Sequence, residues 1–99
     1  MKPAVASLEF RIPAGHPSLP GHFPGRPVVP GVVLLDKVLE AIENTGAPLG
    51  ALRLPQVKFV QPLLPEQTAT IELQADAPRW RFRILRGDAL IASGEVAIA

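Results

Sequence analysis

Cysteine is missing from this chain of 99 residues, which removes disulfide scaffolds, thiolate metal sites and a cysteine nucleophile together. An excess of charge of one sign is missing too. Ten basic residues stand against nine acidic ones, for a net charge of +1, so there is no global pull toward nucleic acid or anionic lipid. No stretch approaches the roughly 20 apolar residues that a membrane helix needs, and the opening segment MKPAVASLEF lacks the apolar run of a signal peptide. A cytoplasmic protein with no membrane span and no nucleic-acid partner is the expectation. Internal repeats, low-complexity tracts and linkers are also absent. What is present is a hydrophobic content of 47%, enough for one core, so residues 1–99 are read as a single domain.

Twelve prolines and eight glycines enforce many turns, and the apolar content argues against disorder. Within residues 5–12, Leu8, Phe10 and Ile12 alternate with Glu9 and Arg11, the period of a half-buried strand. From Pro13 to Gly31 the density of proline and glycine rules out helix and central strand and predicts a long ordered loop. The period then changes. Leu35, Val38, Leu39 and Ile42 fall at i, i+3, i+4 and i+7, predicting a helix from Val32 to about Asn44 that Gly46 ends. Four strand-like runs follow, at 52–60, 68–75, 79–85 and 89–98, separated by turn formers at 62–65, 76–78 and Gly87-Asp88. One strand, a loop, one helix and a run of antiparallel strands make an α+β architecture.

The chemistry concentrates in Gly21-His22-Phe23-Pro24-Gly25-Arg26-Pro27-Val28-Val29-Pro30-Gly31 and the helix start Val32-Val33-Leu34-Leu35-Asp36. A histidine sits in a proline-ruled loop, and a carboxylate follows about one and a half turns into the helix. Gly31 offers a bare N–H at the positive end of the helix dipole, where a developing oxyanion is stabilised. These groups make a workable set for proton abstraction next to a carbonyl. Pattern alone leaves function open. A lone loop histidine is more often structural or solvated than catalytic, and Asp36 shares a helical stripe with Glu40 and Glu43, as in an ordinary solvated face.

The motif Gly-His-Phe-Pro-Gly-x-Pro-x-x-Pro-Gly, followed by an apolar helix start and an acid, resembles the active-site signature of the bacterial 3-hydroxyacyl-[acyl-carrier-protein] dehydratases. Val57-Lys58-Phe59-Val60-Gln61-Pro62-Leu63-Leu64-Pro65 is similar to the strand-and-turn block that follows the helix in that family. The short length and the aspartate at position 36 are closest to the compact dehydratases of aryl-polyene-type pigment clusters. The resemblance implies a hot-dog fold, in which a curved antiparallel sheet wraps one central helix, and edge-to-edge pairing of two chains. It implies that His22 is the base that takes the C2 proton and that Asp36, from the other subunit, protonates the departing 3-hydroxyl. It further implies that the Gly31 N–H polarises the thioester carbonyl and that the Val28 carbonyl holds the His22 ring. A carboxyl group in apolar surroundings resists ionisation, so it can give a proton while a neutral imidazole takes one. These roles require no metal and no organic cofactor.

Arg79, Arg81, Arg83 and Arg86 form the one dense basic cluster. They are first of all the wet face of a strand that buries Trp80, Phe82 and Ile84, and a candidate docking surface for an acidic carrier protein. Arg26 is a weaker candidate of the same kind, and His16 is read as structural or solvated. The expected activity is therefore dehydration of a 3-hydroxyacyl thioester on acyl carrier protein to the trans-2-enoyl thioester, by a homodimer or by a heterodimer with a related subunit. The rival readings are a hot-dog thioesterase and a non-catalytic subunit that binds acyl carriers.

Overall fold

The computed structural model describes residues 5–13, 15, 28–45, 52–76 and 79–98. Within them the order of elements is β1 (Val5–Arg11), α1 (Gly31–Asn44), β2 (Leu52–Phe59), β3 (Thr68–Asp76), β4 (Arg79–Arg86) and β5 (Ala89–Ile98). The strands form one antiparallel sheet in the order β1-β3-β4-β5-β2. The last three strands form a meander, while the first two lie at opposite edges. Pro55 lies in the edge strand β2, where a missing N–H is tolerated, and the register shifts between Arg53 and Gln56 around it.

Alternation puts the core on one side of the sheet. In β4, Trp80, Phe82 and Ile84 are buried while Arg79, Arg81 and Arg83 are exposed, and Phe10 and Ile12 are buried beside exposed Arg11. Helix α1 covers this apolar side and lies against β1 and β3. It buries Val33, Leu34, Val38, Ala41 and Ile42. The four larger of these, Val33, Leu34, Val38 and Ile42, each contribute roughly 1.5–3 kcal/mol on burial. The predicted stripe is thus rotated: Val38 and Ile42 face the sheet, whereas Leu35 and Leu39 are only partly buried and pack at the margin of the core. A second, flanking apolar strip remains on the helix.

The local stops are specific. Thr45 caps the helix, its Oγ1 donating to the Ile42 carbonyl at 2.6 Å, while Gly46, expected in that role, lies outside the described residues. Gly87 takes φ 59° at the β4–β5 turn, where a residue with a Cβ would be strained. At Gly94, aligned with Phe82 in the sheet, an added Cβ would meet the Phe82 ring at 2.9 Å and the Gln56 carbonyl oxygen closer still, so this position of β5 fits only glycine.

Candidate active site

The start of α1 is built by a short extended approach and a proline. Val29 donates to the Leu63 carbonyl at 2.8 Å, tying the approach to the segment after β2. Pro30, with φ −61° and ψ 147°, is the N-cap; its carbonyl accepts from Val33 at 3.0 Å and Leu34 at 3.3 Å. Gly31 is the first helical residue, so its own N–H has no partner within the helix and stands at the positive end of the dipole.

Opposite Gly31 stands the ring of Phe59, at the end of β2. A Cβ on residue 31 would lie 2.7 Å from Phe59 Cζ and 3.1 and 3.3 Å from the two Cε atoms. The ring therefore points its far edge at the glycine, occupying the space a side chain would need. Residues 28–31, Leu34 and residues 59–63 enclose a cleft of about 390 Å³. Its walls are almost wholly apolar, with Gln61 the only lining residue that carries a polar side chain among the described ones. Val28 and Gly31, the two residues read as orienting groups, are thus brought to one cleft.

Asp36 is not brought to it. Its side chain is exposed, and Leu34, two positions earlier, is the helix residue whose side chain lines the cleft. At about 100° per residue, two positions turn a side chain well past the perpendicular. Asp36 projects from the helix flank that also carries Val32, which is 64% exposed. Its neighbour Lys37 pairs with Glu40 at 3.3 Å. His22, the proposed base, lies outside the described residues, as do His16 and Arg26. Among the described residues no group of three or more metal-ligating side chains is gathered, and no helix is long and apolar enough to cross a membrane.

The arginine cluster lies on the other side of the sheet from α1. Arg83 donates from Nε to Glu72 Oε1 at 3.1 Å and also from Nη2, across the β3–β4 pairing. Arg79 and Arg81 both reach Glu95, at 3.4 and 3.7 Å. Arg81 and Arg83 border a hollow of about 870 Å³ over Ser7, Ser93 and Gly94. It holds more space than the cleft at Gly31, but the whole sheet separates it from the helix start. Three of the four arginines are therefore already paired, which local sequence did not indicate because Glu72 and Glu95 are distant in the chain. Phe59 was the other residue that sequence reasoning passed over as a site member, since its position against Gly31 depends on how β2 leaves the sheet.

Comparison with known proteins places these observations in a lineage. The profile of the ApeI-like family, described as ApeI dehydratase, matches residues 2–95. A 3-hydroxyacyl-[acyl-carrier-protein] dehydratase FabZ of Roseiflexus sp. (strain RS-1) is 35% identical over 84 residues, covering 72% of this chain and 55% of the relative. The chain thus spans about half the length of that curated relative. Among solved structures, the dehydratase heterocomplex ApeI:P from Xenorhabdus doucetiae superposes with a TM-score of 0.79 at 23% identity, over 98% of this chain and 97% of that one. The fluoroacetyl-CoA-specific thioesterase FlK superposes with a TM-score of 0.70 at 18% identity, over 98% and 93%. At such identities both establish the fold alone. The arrangement is the expected α+β hot-dog fold, one helix against an antiparallel sheet.

Proposed function

This chain belongs to the ApeI-like dehydratase family, and we propose that it removes water from 3-hydroxyacyl thioesters carried on acyl carrier protein, in a site that two chains complete. His22 takes the proton from C2, the electron pair forms the C2–C3 double bond, and the C3–O bond breaks. Asp36 of the second chain gives the departing hydroxyl its proton, so that water and the trans-2-enoyl thioester leave. The Gly31 N–H donates to the thioester carbonyl, which gains negative charge as C2 is deprotonated. The Val28 carbonyl accepts from the second nitrogen of His22 and fixes the tautomer.

The observation that carries this reading is the separation of Gly31 from Asp36. The glycine opens into an apolar cleft, while the acid projects from an exposed flank beside an exposed Val32. A second hot-dog chain covering that flank would bury the valine and give the acid a cleft to serve, whether the partner is identical or related. The pathway we propose is fatty-acid or aryl-polyene-type synthesis in the cytoplasm, with the whole chain acting as one domain.

Product analysis tests the proposal. Incubated with a 3-hydroxyacyl carrier protein, the chain should yield the enoyl group still attached to its carrier, and both His22→Ala and Asp36→Asn should lose more than 99% of turnover while folding normally, since each removes a proton-transfer group. A free acid as the product would establish thioester hydrolysis instead. Near-native rates in either variant would remove that residue from the mechanism.

A further inference from the structure

We propose that Phe59 is a specificity-determining residue of this site, and that its ring excludes acyl groups branched at C2. The inference rests on the dehydratase reading, which places the thioester carbonyl on the Gly31 N–H.

The ring meets Gly31 end-on, with Cζ, Cε1 and Cε2 all closer than 3.4 Å to the place a Cβ would take. A carbonyl oxygen accepting from the Gly31 N–H stands about 3 Å from that nitrogen, and C2 is two bonds from the oxygen. C2 is therefore the nearest acyl carbon that can carry a branch, and the proposed pose sets it at the ring edge. Phe59 is also unlike its counterparts in the core: Phe10 and Phe82 are 8% and 2% exposed, whereas Phe59 is 51% exposed. Half of its surface is exposed, and the residue lines the cleft.

The walls on either side are held by backbone. Val29 N–H donates to the Leu63 carbonyl at 2.8 Å, and Val60 N–H donates to the Ile91 carbonyl at 2.8 Å. The width beside Gly31 is thus set by the Phe59 side chain more than by movement of the strands. Among the described residues, the rest of the lining is aliphatic, proline, glycine or Gln61, so Phe59 is its one aromatic group. A methyl branch at C2 would have to share the space of the ring edge, and overlap of one methyl group is worth roughly 10–200-fold in discrimination.

The test compares carrier-free pantetheine thioesters of 3-hydroxybutyrate and of each diastereomer of 2-methyl-3-hydroxybutyrate. Both lose water by the same step, because the branched acid retains one proton on C2. The wild-type chain should prefer the straight substrate by roughly tenfold or more in kcat/KM, and Phe59→Ala should bring the ratio to within about threefold by gaining on the branched substrate. Phe59→Leu, which keeps much of the apolar volume, should fall between and serves if the alanine variant unfolds. A wild-type chain that accepts both equally, or a ratio unmoved in folded variants, overturns the proposal. If no thioester is turned over, the dehydratase reading fails, and Kd values for the unreactive amide analogues decide the point: the same ratio shift supports the role of Phe59, and no shift or no binding rejects it.

Discussion

Glu66 holds φ 70°, the left-handed region in which a Cβ costs roughly 1–2 kcal/mol. It follows Pro65 in a turn that Gln67 closes by donating to the Leu64 carbonyl at 3.3 Å. Its own N–H donates to the Ile12 carbonyl at 2.8 Å, and its carboxylate pairs with Arg11 at 3.5 Å. The backbone bond joins the turn to the end of the β1 segment, so the conformation is retained although an exposed ion pair returns only about 0–1 kcal/mol. Replacing the side chain in two ways separates these terms. Glu66→Gly and Glu66→Ala both lose the pair with Arg11, but only the alanine keeps a Cβ at positive φ. The glycine variant should be more stable than the alanine variant by about 1 kcal/mol in urea unfolding; equal midpoints would show that the turn relaxes at no cost. Nothing in the local sequence announces this strain, since Pro-Glu is compatible with several turn types. Asp36 is the opposite case: its place about one and a half turns into a helix was legible from the 3.6-residue period, and only its direction away from the cleft needed three dimensions.

At the level of elements, β4 shows what alternation can and cannot reveal. Its inward Trp80, Phe82 and Ile84 and outward arginines follow from a period of two, and the helix and all four later strands fall within about a residue or two of their predicted bounds. The sheet order was not legible, because β1 pairs with β3 and β2 with β5, and such partners are chosen by shared burial across long stretches of chain. The same non-local pairing sets Arg79 and Arg81 on Glu95 and Arg83 on Glu72. Reversing the charge of any of these three would bring carboxylates together and disturb the sheet. Arg86 has no acidic partner among the described residues, and it stands exposed at the end of β4. It is the member of the cluster on which proposed carrier docking can be tested cleanly. Arg86→Glu should raise KM for a carrier-bound substrate several-fold and flatten its dependence on salt, while a short carrier-free thioester changes by less than about twofold. Equal losses on both substrates would assign the effect to the sheet rather than to docking.

At the level of the whole molecule, one chain buries a continuous core yet holds its proposed catalytic groups apart. The cleft at Gly31 and the flank bearing Asp36 face different ways, and the apolar surface between them includes a Val32 that is 64% exposed and a partly buried Leu35 and Leu39. A shared site accounts for both facts, and subunit mixing tests it. In a mixed dimer of a His22→Ala chain and an Asp36→Asn chain, one site collects both defects, while the other takes its histidine and its aspartate from unmutated positions. Random exchange at equal concentrations makes half of the dimers mixed, each with one competent site of two, so turnover should recover to about a quarter of wild type. If each site drew its histidine and aspartate from a single chain, every site would carry one defect and mixing would restore nothing. Turnover measured before and after co-refolding, with mixed dimers quantified by mass spectrometry, separates the two arrangements. Mixed dimers that form but stay inactive would confine both residues to one chain, and Asp36 would then have to reach the cleft by a rotation of α1 that its buried Val38 and Ile42 oppose.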